Sequence, residues 1–414
     1  MSGKTPISDI HKVLLVGYNG ANNTGAEARL LTIIKEVRMV FGSGIEITIP
    51  TLSKENSCRY IKEEPKLRIV TFPPVYFLAF RKLIKVHDLV VLVEGSCYMD
   101  GWTSYLLWAW LWATRCAHKF GKLVVAYAVD AGSLSVINRK LVQLEVSKTD
   151  LIMTRTGAAA DRLKAWKVNA PLEVTADPAF NFHPEPTDHD LLKQFWPEAT
   201  TGVIGLAAVD FYLWPVVFRL WGRNRNCYRW PYYHSDSRQR RRAREFLAKG
   251  YANFGDGMIE KYSRSFALLC MEQVDEPFAR LIRSYMRHSE KIRIFSARDY
   301  NASQMTDLLR SLELLITSRY HAGVLSTAAA VPQIAINHDQ RLRDLYRDFE
   351  IADEYFLDYT SPDLFQVLEQ RAEALLQNPL SQQELLGKNY QLHQLRARLS
   401  PEYLKQMMVY RTKQ

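Results

Sequence analysis

Arg319 and His321 stand two residues apart in the run Thr317-Ser318-Arg319-Tyr320-His321-Ala322-Gly323. A guanidinium neutralises phosphate or carboxylate, and an imidazole gives or takes a proton near neutral pH. Together they suit an anion that must also exchange a proton. The apolar Leu314-Leu315-Ile316 leads into this run, and the small-residue stretch 324–332 follows it. That pattern predicts a buried strand ending in Ser318, Arg319 and His321 and opening onto a helix. In an open α/β sheet, such a strand end facing a helix N-terminus is where anionic ligands sit. The bland alternative is a buried histidine satisfied by a neighbour. Against it, Asn337-His338-Asp339-Gln340-Arg341 brings further acidic and basic groups to the end of the next strand.

Other strand ends carry candidates that are weaker alone. The turn-rich 17–25 segment, with Asn23 and Gly25, permits close backbone approach to a ligand ahead of a helix. It holds neither Gly-Lys-Ser/Thr nor Gly-x-Gly-x-x-Gly, so a plain strand-to-helix turn is an equal reading. Glu94-Gly95-Ser96 sits at another strand end, where Glu94 is either a general base or a helix cap; Asp100 is equally ambiguous. Asp177-Pro178 is a site element or only a turn. Arg155 closes a strand and reaches either an anion or an acid such as Asp161.

These groups need a scaffold that gathers strand ends at one edge. Near-continuous apolar runs at 13–16, 45–49, 67–71, 88–93, 123–127, 151–154 and 172–175 predict parallel strands covered on both faces. The first is followed by a helix with Leu30, Ile33, Ile34, Val37 and Phe41 on one side. The polar 183–190 stretch reads as a linker. A second alternation follows, with strands at 203–207, 292–295, 314–317 and 333–336. Its helices are expected at 258–271, 276–288 and 303–311 and from Ala322. The expected fold class is α/β: two Rossmann-like domains, 1–185 and 200–360, a ligand cleft between them, and a helical tail over 361–414.

A length of 414 residues with 47% hydrophobic and 24% charged residues fits two domains with ample core. Five scattered cysteines, Cys58, Cys97, Cys116, Cys227 and Cys270, make a disulfide framework or zinc site unexpected and suit a reducing compartment. The opening Met-Ser-Gly-Lys-Thr-Pro lacks an apolar signal core, and the apolar 105–114 stretch is about half a spanning helix. A cytoplasmic protein is expected. The net charge of +10 is concentrated: nine arginines and only Asp236 as an acid lie between Arg219 and Arg244. Trp221, Tyr228, Trp230, Tyr232 and Tyr233 are interleaved. The segment is a solvated insertion, or a surface for an acidic substrate, anionic lipid or nucleic acid. Trp102, Tyr105, Trp108, Trp110 and Trp112 read first as a core helix and second as a membrane-interface contact.

In order, these pieces resemble the polysaccharide pyruvyl transferase family over roughly residues 13–345. The matching elements are Gly20-Ala21-Asn22-Asn23-Thr24-Gly25-Ala26-Glu27, Glu94-Gly95-Ser96 through Asp100, Asp177-Pro178-Ala179-Phe180, Ser318-Arg319-Tyr320-His321-Ala322 and His338-Asp339-Gln340-Arg341-Leu342. The resemblance implies a GT-B-like fold with the acceptor on the first domain and the donor on the second. It implies transfer of a pyruvyl ketal from phosphoenolpyruvate, with no further cofactor and no metal, to a glycan or lipid-linked sugar. Arg319 would clamp the donor, and His321 would protonate its methylene. Arg341 would replace the family's lysine, as a fork that cannot exchange protons. Asn23, Gly25, Glu27, Glu94, Gly95, Ser96, Asp100, Arg155, Asp177 and Ser318 would line the substrate site. Ala26, Glu94, Ser96, Thr156 and Val209-Asp210 depart from the family pattern; Arg219, Arg223 or Arg225 could replace the arginine absent at the last. A sugar-nucleotide glycosyltransferase and a non-catalytic anion-binding protein are the alternatives. Nucleic acid is not an expected partner, contact with the inner face of the membrane is one reading of the basic segment, and monomer and homo-oligomer are both open.

Overall fold

The computed structural model describes residues 10–225, 228–337 and 339–412. Cys227, His338 and the opening residues lie outside them. Seven strands form the first sheet: β1 (Lys12–Val16), β2 (Glu46–Thr51), β3 (Leu67–Thr71), β4 (Leu89–Leu92), β5 (Leu123–Val129), β6 (Leu151–Thr154) and β7 (Leu172–Val174). Their order is β3-β2-β1-β4-β5-β6-β7, and every pairing is parallel. β4 and β5 are buried at every position, as helices on both faces require. The chain runs outward from β1 and then returns to β4 on its other side. The loops after β1 and β4 therefore flank a topological switch point, where α/β sheets open a ligand crevice.

The second unit starts with β8 (Val203–Ala207), followed by an antiparallel ribbon of β9 (Val216–Phe218) and β10 (Tyr232–His234). Strands β11 (Ser265–Cys270), β12 (Ile292–Ser296), β13 (Leu314–Thr317), β14 (Gln333–Ile336) and β15 (Phe356–Leu357) complete a parallel sheet ordered β12-β11-β8-β13-β14-β15. Its switch point falls between β8 and β13. The architecture is two Rossmann-like domains facing across a cleft, with a helical C-terminal tail.

The expected 258–271 helix is a correction. A helix spans Arg238–Tyr262, Ser263 turns left-handed at φ 54° and ends it, and Ser265–Cys270 is the strand β11. An apolar run this short has no decisive period, and pairing with β8 and β12 settles it. The basic segment divides between the ribbon and the first turns of that helix. Two tail helices pack across domains. Leu380–Ala397 lies against the Pro178–Asn181 turn, and Leu399–Thr412 adds Leu404 and Met408 to the first domain's core beside Val13, Leu15 and Leu30. Among the described residues no helix is long and apolar enough to cross a membrane.

Candidate functional site

Asp177 lies fully buried behind the cleft wall. It follows β7, and its Oδ1 caps the Pro178–Asn181 turn by accepting from Ala179 N at 2.9 Å. Its Oδ2 accepts from Arg29 Nη1 at 2.6 Å and Arg155 Nη1 at 2.7 Å, all three side chains being fully buried. Arg29 also donates to the carbonyls of Val93, Tyr127 and Ala128 at the ends of β4 and β5. Arg155 closes β6 and donates to Asp130 at 2.9 Å, so its partner is not Asp161. Its guanidinium lies 3.8 Å from the Tyr320 ring centre, and its buried Nη2 has no hydrogen-bond partner. Burial alone would raise the Asp177 carboxyl, but the Arg29 and Arg155 guanidiniums hold it well below the usual carboxylate range.

His321 enters from the second domain, on the first turn of the helix Tyr320–Ser326 after β13. Its Nε2 lies 3.4 Å from Asp177 Oδ2 and is buried without a hydrogen bond. The imidazole rests on Gly25: a Cβ there would fall 2.1 Å from the ring's Cγ and Nδ1. Gly25 is thus a close-approach glycine between domains rather than a phosphate cradle. Burial lowers the His321 pKa from its ordinary 6.5; Asp177 opposes this, while Arg155 and Arg29 add to it. The resting imidazole is neutral at neutral pH.

Arg319 caps the same helix but is already engaged. Nε donates to Asp275 at 3.0 Å, Nη2 donates to the other Asp275 oxygen, and Nη1 donates to Glu272 at 3.0 Å. Burial works against its charge, and the two carboxylates outweigh burial. The expected open clamp is instead a guanidinium held by two acids from the loop after β11. Arg341 is likewise forked onto Asp339 and lies 5.4 Å from the Trp102 ring centre.

The remaining expected residues divide. Asn23 caps the helix Thr24–Phe41 and donates to Glu272 at 3.2 Å, tying the two domains. Glu94 accepts from Ser96 N and Oγ at 3.0 and 2.7 Å, and both residues line the cleft. Gly95 leaves room for Arg155, whose Nη1 would sit 2.7 Å from a Cβ. The Ser318 carbonyl accepts from Asn337, and Ser318 lines the cleft. Gly95, Arg155 and Asp177 lie off its lining, as do two further residues. Asp100 accepts from Ser135 N and Asn138, fixing the start of the helix Val136–Val146. Glu27 faces the other domain, accepting from Ala302 N at 3.2 Å, and burial pushes its pKa up to about 8. Thr156 caps the next helix through Ala159 N.

The cleft encloses about 110 Å³ between Gly25, Arg29, Glu94, Arg319, His321 and Arg341. Among the described residues no His, Cys, Asp or Glu cluster is arranged to hold a metal ion. The ensemble sets the His321 imidazole among paired charges, with the Arg155 guanidinium buried behind the cleft wall. It can bind an anion and move a proton beside it. The sequence expectation lacked Arg29, Glu272 and Asp275. Arg29 sits inside a helix, where an arginine ordinarily faces solvent, and its partner is 148 residues away. Glu272 and Asp275 follow β11, which reads as helix, so the strand-end rule never reached them.

Residues 23–340 match the sequence profile of the family described as polysaccharide pyruvyl transferase. No curated protein matches the chain in sequence. Among solved structures, Anabaena HepE in complex with UDP-glucose superposes with a TM-score of 0.60 at 11% identity, covering 97% of this chain and 99% of that one. UDP-GlcNAc 2-epimerase from Neisseria meningitidis bound to UDP-GlcNAc gives 0.57 at 11% identity, covering 96% and 100%. A glycosyltransferase from Rickettsia africae gives 0.53 at 12% identity, covering 98% and 97%. At these identities the likeness is one of fold, the GT-B arrangement.

Proposed function

Because the chain belongs to the polysaccharide pyruvyl transferase family, we propose that this enzyme moves a pyruvyl group from phosphoenolpyruvate onto a sugar of a glycan or lipid-linked precursor, as a ketal, on the cytoplasmic side. The observation that carries this reading is His321: it lines the cleft on Gly25 with Nε2 turned to an ionised Asp177 at 3.4 Å, which leaves Nδ1 as the nitrogen that exchanges a proton with a ligand. The imidazole relays the proton of an acceptor hydroxyl to the methylene carbon as that oxygen bonds to C2, so that the C=C electron pair takes up the proton while the new C–O bond forms. Asp177 stabilises the imidazolium character that develops in between. A second hydroxyl of the sugar then bonds to C2, the C2–O bond to phosphate breaks, and phosphate leaves with that hydroxyl's proton. His321 thus serves as base and then acid, and no net proton is needed from solvent. The donor's charges meet the Arg29, Arg319 and Arg341 side chains that line the cleft. Fixed cations in a closed site stabilise such charge without reorganising.

The test is incubation with phosphoenolpyruvate and candidate glycans, following phosphate release and the ketal. The UDP-sugar complexes of the fold neighbours favour a second reading, glycosyl transfer from a sugar nucleotide. Turnover of a nucleotide sugar with none of phosphoenolpyruvate would decide for it.

A further inference from the structure

The ribbon β9–β10 and the start of the helix Arg238–Tyr262 enclose a second, separate pocket of about 270 Å³. Six arginines line it, Arg219, Arg223, Arg225, Arg240, Arg241 and Arg244, with Asp236 as the one lining carboxylate. Asp236 is exposed and pairs with Arg241 at 3.6 Å. Arg244 has Asp210 at 3.6 Å, and Asp210 also feels the charge of Arg225; among the described residues no carboxylate lies within 4.0 Å of Arg219 or Arg223. Three of the six lie near a helix N-terminus whose first turn holds no acid. That is the positive end of the macrodipole, where cations are unfavourable.

This is nevertheless a built site. Arg219 donates to the His234 carbonyl at 2.6 Å, and Arg240 to the carbonyls of Tyr212 and Trp214 at 3.1 and 2.7 Å. These bonds orient guanidiniums that solvent would otherwise leave loose. The Nε atoms of Arg219 and Arg244 are buried without hydrogen-bond partners. On the same wall His234, only 7% exposed, has an unpartnered Nε2. Buried donors and acceptors left open in this way are completed by a ligand or by water.

A further cavity lies between the arginine pocket and the cleft. This cavity of about 570 Å³ shares Tyr212 and Arg240 with the arginine pocket, and Trp102, Trp214 and Asp339 with the His321 site. Aromatic walls of this kind suit sugar rings.

We propose that the arginine pocket is a subsite for a diphosphate ester carried by the acceptor, whose sugar lies in the larger cavity and reaches His321. The carrier role rests on the transferase reading; the diphosphate chemistry rests on the six arginines, which exceed what a monophosphate can neutralise. A nucleoside diphosphate and a prenyl diphosphate present the same group.

Calorimetric titration of the full chain with inorganic pyrophosphate at fixed salt tests this. Saturable binding is expected. Arg223→Ala/Arg225→Ala should weaken it at least about tenfold, the loss expected for charge-assisted contacts. Arg238→Ala/Arg242→Ala removes the same charge from exposed positions outside the pocket and should leave the affinity unchanged. Circular dichroism confirms that both variants are folded. No saturable binding, or equal weakening in both double variants, would overturn the subsite. Competition then names the carrier. Stronger displacement of pyrophosphate by UDP assigns a nucleotide, stronger displacement by farnesyl diphosphate assigns a lipid, and displacement by neither overturns the proposal. These titrations use no phosphoenolpyruvate, so saturable, variant-sensitive binding without pyruvyl transfer would retain the subsite and reject the transferase reading.

Discussion

His321→Ala should lower turnover by about 10²–10⁴-fold, the usual worth of a positioned acid–base group, with the fold intact. Because burial depresses the imidazole below 6.5 and its neutral form is the starting base, the acid limb of kcat/KM should fall below that value. A limb at or above it would contradict the assigned role. Gly25→Ala should reproduce most of the His321 loss, since its methyl would occupy the space of the ring. If Gly25→Ala keeps wild-type turnover, His321 does not work from the position it holds here. Asp177→Asn leaves Arg29 buried without its paired carboxylate, while Arg155 keeps Asp130, and should cost about 3–5 kcal/mol in denaturant unfolding. The Arg-x-His pair, Asp177 and Arg155 were legible because each closes an apolar run. That Arg319 is held by Glu272 and Asp275 was not legible, since no local pattern announces a contact 44 or more residues away.

At the scale of elements, the strands of the first sheet could be read because burial on both faces removes the polar alternation that confuses a strand with a surface helix. The failure at β11 has the same root: a run apolar throughout gives no period, and the preceding helix had no evident stop before Ser263. The loop after β1 shows how an element carries function indirectly. Thr24 N donates to Met271 O, and Asn22 donates to Gln273, so the start of the first helix is sewn to the loop after β11. Glu27 continues that seam. Its folded pKa of about 8 lies above the ordinary 4.5, so its contribution to stability is fully present below 4.5 and is lost as pH rises through 8. Glu27→Gln keeps the shape without the titration. Its stability relative to wild type, measured by urea unfolding, should rise steadily between pH 4.5 and pH 8. A pH-independent difference would remove Glu27 from the seam's titration.

Across the whole molecule the two domains are joined by polar bonds at several levels. Arg162 of the first domain pairs with Asp344 of the second, Arg59 donates to Ala297 O at 3.0 Å, and Val216 N on the ribbon donates to Trp102 O at 2.9 Å. Such pairings follow from how two finished sheets meet, so the domains were legible from their runs while their mutual placement was not. The tail makes the point most fully, because its sequence carries no catalytic group and yet it holds the site. His393 packs 4.8 Å from Phe180, and Arg396 donates to Thr175 O at 2.8 Å, bracketing the turn that presents Asp177. Beyond it, Leu404 and Met408 are almost completely buried against the first domain. Deleting 390–414 removes these two anchors, each worth about 1.5–3 kcal/mol, together with His393 and Arg396, and should cost at least about 3–6 kcal/mol. Turnover should also fall at temperatures where circular dichroism still reports a folded chain, because the Asp177 turn loses its backing before the sheets unfold. A truncated chain as active and as stable as the parent would mean that the tail only covers the first domain and that the turn holds its own geometry.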